Sequence, residues 1–226
     1  MEELKEFIYQ NARTLPVVLL LDTSGSMYEN GKIATMNSAV NEMIEGFKSL
    51  DSTNAQISVS IITFGGVAQK FQDLKPANEV EAINMTANGN TPLGSALNIA
   101  KSMIEDKEVI TSRAYRPVVV LVSDGMPNDN WEQPLEQFKS DGRTSKCYRM
   151  AMGIGVSEGS AEYQMLQKFI DKEERVFCAS DARGIEKFFK YVTMSVATRT
   201  KSQNPNIIAK PADIIVDDED DDAPLF

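Results

Sequence analysis

Five small oxygen-bearing residues carry the chemistry of this chain: Asp22, Ser24 and Ser26 in the run Asp22-Thr23-Ser24-Gly25-Ser26, then Thr91 and Asp124 far downstream. Carboxylates and hydroxyls are hard donors, the set that suits Mg²⁺ and also Mn²⁺ or Ca²⁺. The alternate spacing of Asp22, Ser24 and Ser26 is what a curled loop needs to aim three side chains at one point, and Gly25 is expected to let the backbone turn there without a Cβ clash. Neutral hydroxyls as direct ligands leave a cation electron-poor. Such an ion seeks a carboxylate from outside, so the expected chemistry is docking: a metal bridge to an Asp or Glu on a protein partner. The chain contains no histidine, which excludes a Ser-His-Asp or Cys-His nucleophile. It also lacks a Gly-x-x-x-x-Gly-Lys-Ser/Thr phosphate loop.

The elements that must position these residues are legible as short apolar runs alternating with amphipathic stretches. Val17–Leu21 is a continuous apolar run, expected for a strand covered on both faces and delivering Asp22 to its tip. Residues 32–50 carry Ile33, Met36, Val40, Met43, Ile44 and Phe47 at helical spacing. Residues 56–64 predict a second strand, Gly65-Gly66 a tight turn, and residues 67–71 a returning hairpin arm. An irregular stretch runs to Asn90. Thr91 is then expected to cap a helix with Pro92 at its first position, burying Leu93, Leu97, Ala100 and Ile104. Strands are predicted over 118–122, 146–153 and 175–178, and helices over 131–140, 161–170 and 185–198. The pattern predicts an α/β fold: a doubly wound, mostly parallel sheet with one antiparallel edge strand and helices on both faces. In such a sheet the ligand crevice lies at the carboxyl ends of the strands, where Asp22 and Asp124 fall.

The formal charge is −10 over 226 residues, and residues 203–226 alone hold seven acids against one lysine. That balance argues against nucleic-acid binding. No apolar stretch is long enough to cross a membrane, and the charged start Met1-Glu2-Glu3-Leu4-Lys5-Glu6 lacks a signal-peptide core, so a cytoplasmic location is expected. Cys147 and Cys178 each lie in a short apolar segment and are expected to be buried, reduced thiols. Three parts are expected: a lead-in over 1–14, one domain over 15–202, and an acidic tail over 203–226.

Asp22-Thr23-Ser24-Gly25-Ser26 after an apolar strand, the later Thr91, and Val122-Ser123-Asp124-Gly125 together resemble the metal-ion-dependent adhesion site of von Willebrand factor A (VWA) domains. The resemblance covers roughly residues 15–200. It implies that Asp22, Ser24, Ser26, Thr91 and Asp124 hold Mg²⁺ or Mn²⁺ and that a partner acid completes the shell. It also implies that movement of the last helix couples to the site, as in some relatives. A narrower similarity rests on Leu15-Pro16, Tyr115-Arg116-Pro117, Asp124-Gly125-Met126-Pro127-Asn128-Asp129 with Trp131, and Phe188-Phe189-Lys190-Tyr191-Val192. These resemble the bacterial TerY-type VWA proteins of tellurite-resistance loci. That likeness implies a cytoplasmic stress-response protein, with a kinase or phosphatase of the same system as partner. One departure is Gly89-Asn90-Thr91, where two glycines would be expected before the threonine; asparagine tolerates positive φ.

Asp129 is read either as a residue supporting the ligands or as a solvated turn acid. Asn90 is placed beside the ligand loop. Trp131 is read either as a rim contact or as packing at a helix start. The tail acids Asp217, Asp218, Glu219, Asp220, Asp221 and Asp222 could offer a carboxylate to the metal, recruit a basic partner with Pro224-Leu225-Phe226 as an apolar hook, or serve as a solvated extension. The alternative enzymatic reading is a Mg²⁺-dependent phosphohydrolase with Asp22 as nucleophile. It is disfavoured because that chemistry wants a general acid two residues on, where Ser24 stands. Direct binding of tellurite, an anion, does not suit a hard-oxygen cation site.

Overall fold

The computed structural model describes residues 13–50, 55–172, 174–202 and 204–206. The tail acids 217–222 and most of the lead-in and tail therefore lie outside the described residues. Six strands form one sheet: β1 (Arg13–Asp22), β2 (Ala55–Gly65), β3 (Val67–Pro76), β4 (Val118–Ser123), β5 (Tyr148–Ile154) and β6 (Phe177–Ala179). Five helices accompany them: α1 (Lys32–Ser49), α2 (Leu93–Glu105), α3 (Glu132–Ser140), α4 (Ala161–Phe169) and α5 (Ala182–Lys201). The strand order is β3-β2-β1-β4-β5-β6. All neighbours run parallel except β2 and β3, so β3 is an antiparallel edge.

β1 is central because both its faces are apolar. Val17, Leu19 and Leu21 join the core under α1 and α5, with Met36, Val40, Phe188 and Val192. Val18 and Leu20 join the opposite core under α2, α3 and α4, with Leu97, Phe138 and Phe169. Each such buried aliphatic side chain contributes roughly 1.5–3 kcal/mol. The chain leaves β1 outward to β2 and β3, then crosses back to β4 on the other side of β1. The order of strand addition therefore reverses between β1 and β4, and the carboxyl ends of those two parallel strands open the crevice such a reversal creates.

Several boundaries differ from the sequence reading. β3 runs to Pro76 rather than stopping at Phe71, because an edge strand facing solvent needs no apolar alternation. Thr144–Lys146 forms a 3-10 turn, so β5 starts at Tyr148. α5 begins three residues early because Asp181 accepts the Gly184 N–H at 2.9 Å and caps it. Cys147 is buried as expected, but Cys178 is exposed, since β6 is a short edge strand that offers little cover. The irregular stretch before α2 is held by α1: Asn37 exchanges two hydrogen bonds with the Met85 backbone, and Asn41 does the same with Ile83. Backbone groups that lack a strand partner are thereby satisfied.

Candidate metal centre

The site grows from the last residue of β1. Asp22 is buried. Its Oδ1 accepts the Ser24 N–H at 2.8 Å, a side-chain turn that curls the loop back on itself. Its Oδ2 accepts from Ser123 Oγ, the last residue of β4, at 2.6 Å. Ser24 Oγ lies 3.1 Å from Ser26 Oγ, and Ser26 Oγ donates to Asp124 Oδ1 at 2.7 Å. The other oxygen of Asp124 accepts from Lys32 Nζ at 2.7 Å. A 3-10 segment, Gly25–Gly31, leads from this loop to α1, and left-handed Asn30 (φ 53°) and Gly31 (φ 69°) end it by turning the chain into Lys32.

The Thr91 loop is brought in by backbone contacts rather than by capping. α2 begins at Leu93, so Thr91 is not its cap, contrary to expectation. The cap comes from the loop after β4. Asp129 accepts the Gly94 N–H (3.0 Å), the Ser95 N–H (2.9 Å) and the Ser95 hydroxyl (3.2 Å). Asn128 clamps Thr91 itself, accepting the Thr91 N–H on its side chain at 3.1 Å and donating its own N–H to the Thr91 carbonyl at 3.2 Å. Thr91 is buried between these loops. Its neighbours are tied to the β1 loop, with Gly25 N–H to Gly89 O at 2.9 Å and Asn88 N–H to Thr23 O at 2.8 Å.

The glycine requirement falls elsewhere than the sequence suggested. A Cβ on Gly25 would meet only ordinary contacts, the nearest at 3.6 Å, and its φ is not positive. A Cβ on Gly65 would lie 1.9 Å from the Thr23 carbonyl oxygen, and one on Gly89 would lie 2.5 Å from Gly66 Cα. These close approaches pack the loop after β1, the β2–β3 turn and the loop before Thr91 against one another. Positive φ is taken by Gly89 (63°), while Asn30 is the one non-glycine residue with positive φ among the described residues, so the tolerance of Asn90 is not used. Asn90 is exposed and contributes its carbonyl, which accepts the Gly66 N–H at 2.8 Å.

The arrangement fits a hard cation. Adjacent ligands of an octahedral Mg²⁺ at ~2.1 Å lie about 3 Å apart. The chain Ser24 Oγ, Ser26 Oγ, Asp124 Oδ1 has steps of 3.1 and 2.7 Å. No group of three or more Asp, Glu, Cys or His among the described residues could share a metal, so a cation here relies on hydroxyls. Burial pushes the Asp22 carboxyl above its usual range, hydrogen bonds from Ser123 and Ser24 oppose this, and the Asp124 charge adds to the rise. A buried anion of this kind is stabilised by a neighbouring positive charge.

Around the site, Tyr28 is 78% and Met126 39% exposed, each two residues from a predicted ligand. Trp131 is not at the rim. It is buried in the core beside α2 and α3, with Lys168 Nζ 5.3 Å from its ring centre. Sequence reasoning missed Ser123, Asn128 and Lys32 as members of the site. Ser123 and Asn128 flank predicted residues in the same loop, a signal that was present. Lys32 pairs across 92 positions, and nothing local marks it.

The von Willebrand factor type A domain profile matches residues 17–191. No curated protein matches the sequence. Among solved structures, the pilus adhesin SpaC of Lactobacillus rhamnosus GG in its open conformation superposes with TM-score 0.68 at 15% identity, covering 85% of this chain and 31% of that one. Proximal thread matrix protein 1 from the mussel byssus, with a zinc-occupied MIDAS motif, gives 0.59 at 21% identity, covering 80% of this chain and 45% of that one. A von Willebrand factor type A protein of Catenulispora acidiphila gives 0.60 at 18% identity, covering 81% and 42%. The chain thus spans less than half the length of these proteins, and the likeness shows the fold.

Proposed function

The chain belongs to the von Willebrand factor type A family, and on that premise we propose that it is a metal-dependent protein-interaction module whose bound cation is completed by a partner's Asp or Glu. Domains of this family typically mediate protein–protein interactions through a divalent-cation site and are mostly non-catalytic. Asp22, Ser24, Ser26, Thr91 and Asp124 would hold the ion, Mg²⁺ first and Mn²⁺ or Ca²⁺ as alternatives. When bound, the ion supplies an electron-poor position for an incoming carboxylate oxygen. The single observation that carries this reading is the run of hydroxyl and carboxylate oxygens at the ends of β1 and β4, spaced as neighbouring ligands of one ion. Exposed Tyr28 and Met126 beside it suit a protein surface, since aromatic residues and methionine are enriched in interfaces.

The narrower reading places the chain with TerY-type proteins in a bacterial stress or tellurite-resistance system, in the cytoplasm, with a kinase or phosphatase as partner. It rests on the sequence motifs at 115–117, 124–131 and 188–192. No helix among the described residues is long and apolar enough to cross a membrane. The domain division at 15 and 202, and a regulatory role for the tail acids 217–222, belong to the same proposal.

A pull-down from bacterial lysate tests it. Tagged wild type and Asp22→Ala are compared in Mg²⁺ and in EDTA, with mass spectrometry of the eluates. The expected result is a protein retained only by wild type in Mg²⁺. Identical eluates in all four conditions would remove the metal-dependent reading.

A further inference from the structure

Lys32 is the first residue of α1, where the helix dipole presents its positive end. A cation there is disfavoured on its own account. It is nevertheless held with its ammonium 2.7 Å from Asp124 Oδ2, its side chain 18% exposed and that of Asp124 fully buried. The turn through Asn30 and Gly31, two consecutive left-handed residues, delivers it there. Ser26 Oγ holds the other oxygen of Asp124, while Ser123 Oγ and the Ser24 N–H hold those of Asp22. Of the four donors to these two carboxylates, Lys32 alone carries charge.

We infer that Lys32 is a tethered counter-ion that competes with the divalent cation for Asp124 and so sets the concentration at which the site loads. The inference rests on the proposed cation site. Two carboxylates carry −2, and the ammonium reduces this to −1. A divalent ion approaching Asp124 therefore either displaces Lys32 or binds beside a like charge. With water-like screening (effective dielectric ~80), one unit charge ~4 Å from a divalent ion changes its affinity on the order of 10- to 100-fold. With Lys32 in place, partner capture responds to free cation instead of depending on a permanently loaded site.

The test is isothermal titration of the full chain with MnCl₂ and with MgCl₂ at fixed ionic strength, for wild type, Lys32→Met, Lys32→Arg and Asp22→Ala. Lys32→Gln replaces Lys32→Met if the latter melts early. Removal of the charge is expected to tighten cation binding 10- to 100-fold, whereas Lys32→Arg, which keeps the charge, stays near wild type. Equal or weaker binding by the neutral variant, with wild type still binding in an Asp22-dependent way, would overturn the role of Lys32 alone. If neither wild type nor the neutral variant shows Asp22-dependent binding, the cation site itself falls, and this inference with it.

Discussion

At the carboxyl ends of β1 and β4 the buried polar groups are carboxylates and hydroxyls, while three guanidinium groups gather near the amino ends of β4 and β5. Arg143 donates to the carbonyls of Ile104, Ile110 and Thr111. Arg199, buried at the end of α5, donates to those of Pro205 and Arg116. Arg149 bonds Asp171 and the carbonyls of Thr144 and Cys147. The two ends are unbalanced in opposite senses. At the arginine end donors are in surplus: Arg149 Nε and Arg199 Nη1 are buried without a partner among the described residues. At the site end acceptors are in surplus, because each carboxylate oxygen carries two lone pairs and the four of Asp22 and Asp124 each meet one donor. Donors aimed at loop carbonyls fasten loops, whereas surplus acceptors on two converging loops can take a cation. The same sheet is thus stitched at one end and receptive at the other.

The largest effect that would break this contrast is at Asp22. Asp22→Ala should weaken divalent-cation binding at least ~100-fold by titration calorimetry, since it removes a charged ligand, while far-UV circular dichroism stays unchanged. Loss of the folded state instead would make the acceptor end structural too. Next comes the stitched end. Arg199→Ala should cost about 2–4 kcal/mol in urea unfolding, because a buried side chain and two hydrogen bonds are lost, with cation affinity within about twofold of wild type. A large affinity change would show that the anchoring of α5 reaches the site. Asp129→Ala sharpens the comparison at the site end. Loss of a helix cap should cost about 1 kcal/mol and, by loosening the start of α2 next to Thr91, weaken cation binding a few-fold.

The smallest effect concerns Cys147, at the arginine end. Burial pushes its thiol up to about 12, while an unfolded thiol titrates near ~8.5. The folded chain keeps a proton that the unfolded chain releases, so this contribution is intact below about 8.5 and is lost as pH climbs toward about 12. Between pH 8 and 9 the urea stability of wild type should fall by about 0.7 kcal/mol more than that of Cys147→Ala. Exposed Cys178 should react with a maleimide in the native protein, and Cys147 only after unfolding.

Much of the fold could be read from local pattern. The run Val17–Leu21 announced a strand buried on both faces, and it is the strand whose alternate residues feed both cores. The helix stripes in α1 and α2 were equally plain. β3 was underestimated past Phe71, where an edge strand carries charge, and Cys178 was expected to be buried because an apolar neighbourhood does not reveal which strand lies at the edge. At the site, the types and spacing of Asp22, Ser24 and Ser26 were visible because one loop holds them. Their company was less so. Asp129 reaches α2 across 34 and 35 positions.

By itself, then, the sequence determined the alternation of elements and the hard-oxygen character of the loop after β1, since burial and donor type are written in neighbouring residues. The tertiary structure decided which polar groups answer one another. Only the β1–β4 pairing puts Ser123 on Asp22, only the left-handed turn at Asn30 and Gly31 puts Lys32 on Asp124, and only the close approach at Gly65 and Gly89 lets the three loops meet. Hydrogen bonds and ion pairs act over about 3 Å in space whatever the distance along the chain. Strand register and backbone clearance therefore set these pairings, and neither is written in any one segment.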